Sequence, residues 1–309
     1  MKKLLLNSAL LAITLSLSAV GGPISSPALA ADTPAPAAVP TVDVDPALWV
    51  VKDADTTIYL FGTVHILKPG MGWFDEAVKD AFDKSDRLVL EIVEPDQATT
   101  QQLFAKYGLD QSGKTLTSKM TEEQKATYTK AMEKVGLPAA AFEPFDPWAA
   151  AVTMQVMGLQ KGGYDVNSGV ETQLTAAAKA SKKPIGAVET MEQQLQIFDS
   201  LSQETQVKFL VESAAMVDQM TSSMDNMVTL WAKPDPDGLA QVMNQGLSDP
   251  KLHSALLTNR NANWAAWIKQ QLEKPGTTFM AVGAGHLAGS TSVQHLLSAY
   301  GIEAQRVEY

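Results

Sequence analysis

Short apolar runs bounded by polar turns alternate along the chain with stretches whose apolar positions recur three and four apart, which predicts interleaved strands and helices. Leu48-Trp49-Val50-Val51 and Thr57-Ile58-Tyr59-Leu60-Phe61 are β-rich runs joined by Asp53-Ala54-Asp55-Thr56, a hairpin pattern. Further strands are expected at Arg87–Ile92, Pro184–Val188, Thr277–Val282 and Ile302–Val307. Asp75 to Lys84 reads as a short helix feeding the Arg87 strand. Thr121-Glu122-Glu123-Gln124, Ser168-Gly169-Val170-Glu171 and Thr190-Met191-Glu192-Gln193 all have the capping-box pattern of a helix start. Asp146-Pro147 opens another helix, through Leu159, that stops at Gly162-Gly163. From Val207, the positions Leu210, Ala214, Val217, Met220, Met224, Met227 and Trp231 mark one long amphipathic helix whose Met-rich face suits core packing.

The first residues follow a different rule. Lys2 and Lys3, the apolar run Leu4 to Val20 and Ala28-Leu29-Ala30 have the three parts of a secretory signal peptide, with cleavage after Ala30. An uncleaved anchor is the competing reading of a run this long. Residues 31–46, rich in Ala, Pro, Thr and Val, are expected to be a linker, and 47–309 a single α/β domain. The expected product is periplasmic or secreted and keeps no stable membrane anchor. The formal charge of −10 argues against a general affinity for nucleic acid. The absence of Cys excludes a thiol nucleophile, disulfides and cysteine metal sites.

One motif is rejected on context. Gly108-Leu109-Asp110-Gln111-Ser112-Gly113-Lys114-Thr115 matches the phosphate-loop pattern by letter, but it follows a helix end instead of a strand, and Asp110 would repel phosphate. No nucleotide partner is expected. A second pattern occurs twice in one setting: Gly62-Thr63-Val64-His65 and Gly283-Ala284-Gly285-His286 each follow a predicted strand. A Gly at a strand end lets the backbone turn, so both imidazoles can enter a crevice at the carboxyl edge of a sheet. Glu91 and Glu94 close the Arg87 strand and Glu189 the Pro184 strand, so the same edge gathers acid. Imidazole with carboxylate suits a divalent Zn, Mn, Fe or Co ion. Glu91 lies in an apolar strand and needs a cationic or metal partner, whereas Glu171 is explained by helix capping. Arg260, four and seven positions before Trp264 and Trp267, falls on the buried face of a helix from Asn261 to Lys274 and needs an anion. His253 and His295 fall on solvent faces.

Phe61-Gly62-Thr63-Val64-His65, Leu90-Glu91, Gly169-Val170-Glu171-Thr172-Gln173-Leu174, Val188-Glu189-Thr190, Gln193-Gln194-Leu195, Arg260-Asn261 and Val282-Gly283-Ala284-Gly285-His286-Leu287 together resemble the TraB family, with its GumN-like bacterial proteins and Tiki metalloproteases. The resemblance implies a mixed or largely parallel sheet with helices and a sizeable helical insertion, related to the erythromycin esterase and ChaN-like fold. It also implies a metal centre of His65, Glu91 and His286, with Arg260 and Glu171 in support. The function expected is an exported metal-dependent hydrolase acting on a peptide. In this scheme Glu94, Glu171 or Glu189 takes the proton of a metal-bound water and Arg260 stabilises the oxyanion. The competing expectation is a non-catalytic binder of a peptide, haem or metal in the same crevice.

Overall fold

The structure, a computed structural model, describes residues 42–308 apart from 234, 247 and 248; the expected leader, its cleavage site and residues 31–41 lie outside the described residues. Eight strands form among the described residues: β1 (Val42–Asp43), β2 (Leu48–Lys52), β3 (Thr56–Thr63), β4 (Met71–Gly72), β5 (Arg87–Leu90), β6 (Ile185–Ala187), β7 (Gly276–Gly283) and β8 (Gln305–Arg306). The pattern-read strands are all present, and the hairpin β2–β3 is antiparallel with Leu48 opposite Phe61. Packing starts before Ala47, since β1 pairs with β4 and Val44 is buried.

The six-stranded sheet has the order β6-β5-β7-β3-β2-β8. Its first four strands are parallel, with Leu90 opposite Ala187 and Ala281, and Thr63 opposite Gly283. This aligns their carboxyl ends at one edge. Side chains alternate between two cores, as the pleat requires. Phe61, Leu88, Leu90, Phe279 and Ala281 face one, and Ile58, Leu60, Val89, Met280 and Val282 the other.

The helices are α1 (Glu76–Lys84), α2 (Gln97–Tyr107), α3 (Glu122–Val135), α4 (Pro147–Lys161), α5 (Val170–Ala180), α6 (Met191–Asp199), α7 (Gln203–Ala215), α8 (Met220–Ala232), α9 (Pro236–Gly246), α10 (Pro250–His253), α11 (Asn259–Gln271) and α12 (Val293–Leu297). Residues of α1, α5 and α8 cover one sheet face, and α11 and α12 the other. The helical insertion has its own core, where α3, α4, α6 and α7 pack round Trp148 and Phe198. Reciprocal capping boxes open α3 at Thr121 and α6 at Thr190.

The single helix expected from Val207 to Trp231 is instead two, α7 and α8, separated by a tight turn at Val217–Gln219. Val207, Leu210 and Ala214 belong to the insertion core, whereas Met220, Met224, Met227 and Trp231 pack against the sheet. The turn lets the chain change partners, and the three-and-four spacing survives because each half is amphipathic. The rejected phosphate-loop motif begins at Gly108, the residue that ends α2. There Asp110 accepts the N–H groups of Ser112 at 2.8 Å and Lys114 at 3.0 Å and pairs with Lys119 at 2.6 Å.

Candidate active site

The four parallel strands end at Ala187, Leu90, Gly283 and Thr63, and Glu189, Glu91, His286 and His65 follow them within three residues. Neighbouring strand ends therefore bring the two imidazoles and two of the acids to one edge, where ligands of open α/β sheets gather. They divide into two groups.

The first group is a histidine with a carboxylate. Nδ1 of His65 donates to Oε1 of Glu171, which also accepts the Thr63 hydroxyl. Nε2 of His65 and Oε2 of Glu171 are buried without a hydrogen-bond partner among the described residues. Burial pulls the His65 pKa down, but the charge and hydrogen bond of Glu171, with help from Glu91, outweigh it and hold the imidazole above its ordinary value. Glu171 is likewise penalised by burial and is held ionised below the usual range by His65 and Thr63.

The capping role expected of Glu171 is corrected here. The N-cap of α5 is Gly169, with no side-chain cap, and the carboxylate turns to His65 instead. Gly169 permits this approach, because a Cβ there would stand 2.2 Å from the His65 carbonyl oxygen. Gly169→Ala is accordingly expected to destabilise the fold by about 1–3 kcal/mol, the usual cost of overpacking, and to separate Glu171 from His65. Chemical denaturation and the imidazole titration of His65 by NMR check both effects.

The second group is built round Arg260. Nη2 donates to Glu91 at 2.5 Å and to Glu189 at 2.8 Å, and Nε donates to Glu189 at 2.9 Å. Nη1 donates to the Leu256 carbonyl at 3.1 Å and to Nε2 of His286 at 3.0 Å. The Leu256 carbonyl lies in the π-helical turn Ser254–Thr258 that leads into α11. Nδ1 of His286 donates to Oδ1 of Asn261 at 2.5 Å, so this imidazole is neutral with both nitrogens engaged. Burial, then the charges of Arg260 and His65, holds its pKa well below the ordinary value. Glu91 also accepts the Gly283 N–H at 2.7 Å and Gln194 at 3.0 Å, while Trp264 donates to Glu189 at 3.0 Å.

This arrangement changes several expected roles. His65 suits a metal ligand, with one nitrogen held by a carboxylate and the other without a hydrogen-bond partner among the described residues. His286 and Glu91 do not, since the atoms they would offer are already bonded to Arg260, Asn261, Gly283 and Gln194. His65, Glu91 and His286 thus do not fit an ion as one three-ligand set, and no group of three or more such side chains among the described residues could hold one. All five guanidinium N–H groups of Arg260 have acceptors, so it has no donor to spare for an oxyanion. Glu189 is equally engaged. Glu94 is exposed at the mouth of the site.

A cleft of about 560 Å³ opens beside His65, Glu91 and Glu171. One wall is α5, with Thr172, Thr175 and Lys179, and the other is segment 91–95, which follows β5 without regular secondary structure. Ile92 and Val93 make no backbone hydrogen bond among the described residues, and Val93 is 49% exposed. Asn261, Gln194 and Thr63 support the site without having been assigned roles from the sequence. Their signal was buried polarity, Asn261 beside Arg260 on an inward helix face above all. His295 is exposed as expected, but His253 is half-buried and bonds Thr258 at 3.3 Å.

Comparison with known proteins finds relatives along most of the chain. The protein YbaP of Escherichia coli (strain K12) is 24% identical over 256 residues, covering 82% of this chain and 92% of its own, and the Shigella flexneri YbaP matches equally. An uncharacterized protein of Treponema pallidum (strain Nichols) is 20% identical over 264 residues, 79% of this chain and 78% of its own. No solved structure matches the chain. The family model for TraB/PrgY/gumN spans residues 47–306, from the residue before β2 to the end of β8. The chain belongs to the TraB/PrgY/gumN family.

Proposed function

We propose that the chain is an exported hydrolase that cleaves a peptide in the cleft between α5 and residues 91–95, with His65 as general base. The observation that carries this reading is one buried imidazole with its nitrogens in two different states: Nδ1 held by Glu171 and Nε2 without a partner among the described residues. A carboxylate on Nδ1–H selects the tautomer that leaves a lone pair on Nε2 and stabilises the imidazolium formed when a proton arrives. Water at Nε2 gives its proton to His65 as its oxygen attacks the carbonyl, and the imidazolium then returns the proton to the departing amine. Glu171 remains ionised throughout. The amino-terminal turn of α5 borders the cleft, and its dipole favours negative charge developing there.

A peptide suits the walls of this cleft. The backbone groups of Ile92 and Val93 offer strand-like pairing to an extended chain, and Val93 offers an apolar contact. Digestion of a mixed peptide library, read by mass spectrometry, tests the reading. Defined cleavage products that disappear in His65→Ala are expected; a library left intact at protein concentrations that bind it would replace the hydrolase with a binder.

A further inference from the structure

The cluster behind the cleft already contains a cation. The guanidinium of Arg260 lies against Glu91, Glu189 and Nε2 of His286, and the side chains of Arg260, Glu91 and His286 are 4%, 2% and 0% exposed. A divalent ion held by imidazole and carboxylate would use the His286 lone pair and the Glu91 Oε2 that Arg260 occupies, the other Glu91 oxygen being held by the Gly283 N–H. It would also sit beside a buried positive charge, where like charges repel strongly. His286 cannot turn its other nitrogen to an ion, because Nδ1 carries the proton given to Asn261.

We propose that Arg260 is the permanent cation of this cluster and excludes a divalent ion from it, so that Glu91, Glu189 and His286 seat a guanidinium instead of a metal. Arg260 is then a positioning residue that fixes Glu91 at the cleft wall. The inference goes beyond the hydrolase reading and is read out by ion binding, so the two can fail separately.

The test uses Mn²⁺, Co²⁺ and Zn²⁺ as probes, with elemental analysis of protein purified without chelator and calorimetric titration. Wild-type protein is expected to hold no stoichiometric ion that depends on His286. Arg260→Met leaves two carboxylates and an imidazole facing one another and should bind an ion at least about tenfold more tightly than wild type, a gain lost again when His286→Ala is added. An ion in wild-type protein that is lost in both His286→Ala and Glu91→Gln would overturn the proposal. So would an Arg260→Met protein, shown folded by circular dichroism, that gains no ion. If Arg260→Met does not fold, Arg260→Lys, which keeps the charge, takes its place: continued absence of a His286-dependent ion supports the proposal, and its presence overturns it.

Discussion

Replacing His65 by Ala is expected to lower peptide turnover by about 10²–10⁴-fold, the usual contribution of a positioned general base. Folding should be weakened as well, because buried Glu171 loses the imidazole that holds it ionised and keeps the Thr63 hydroxyl, so activity is compared on protein shown folded by circular dichroism. The wild-type pH profile carries a second signature. The base is the neutral imidazole, and burial and Arg260 lower its pKa while Glu171 and Glu91 raise it by more. Turnover should therefore rise with pH through a midpoint above the ordinary histidine value of about 6.5. Glu171→Gln removes the main raising influence and leaves burial in control, so the midpoint should move down and the maximal rate should fall. A midpoint unmoved by Glu171→Gln would detach the profile from His65.

Loss of Arg260 should have the largest effect on stability. Its partners Glu91 and Glu189 have side chains only 2% and 11% exposed, and without the guanidinium their charges remain in a site with little access to water. Breaking a buried ion pair from one side typically costs about 3–5 kcal/mol, a large part of the 5–15 kcal/mol by which a domain is stable. Urea denaturation of Arg260→Met should show this loss, and adding Glu189→Gln should recover part of it by removing one stranded charge. If the double variant is no more stable than the single, the pairing energy lies elsewhere. Burial lowers the Arg260 pKa, but Glu91 and Glu189 outweigh it and hold the value above that of an ordinary arginine, so the guanidinium should stay charged across the working pH range.

The strands and both histidines were legible because their signals are local. Period-two apolar runs state where a strand lies, and a Gly three residues before His states that the backbone turns there. Glu91 was legible for a complementary reason, an acid inside an apolar run that must have a partner. Only the capping role of Glu171 was misjudged, because a capping box can be read from four letters, whereas the approach of α5 to the His65 carbonyl depends on Gly169 meeting a residue about a hundred positions earlier. Arg260 was correctly placed among anions, but the count of its acceptors depends on the π-helical turn that exposes the Leu256 carbonyl and on His286 being turned by Asn261. The chemistry assigned to it therefore changed from oxyanion donor to occupant of the cluster. Likewise, the apolar stripe from Val207 to Trp231 was read correctly while its division between two cores was not, since periodicity reports a buried face and not what covers it.

Hydrolysis at His65 is tested most directly by cleavage of a library peptide in oxygen-18 water, followed by mass spectrometry of the products. Wild-type protein should place one heavy oxygen in each new carboxyl group, and His65→Ala and Glu171→Gln should slow that incorporation together. Peptide recovered intact from wild-type protein, or incorporation at an unchanged rate in folded His65→Ala, would contradict the assignment of His65 as the base.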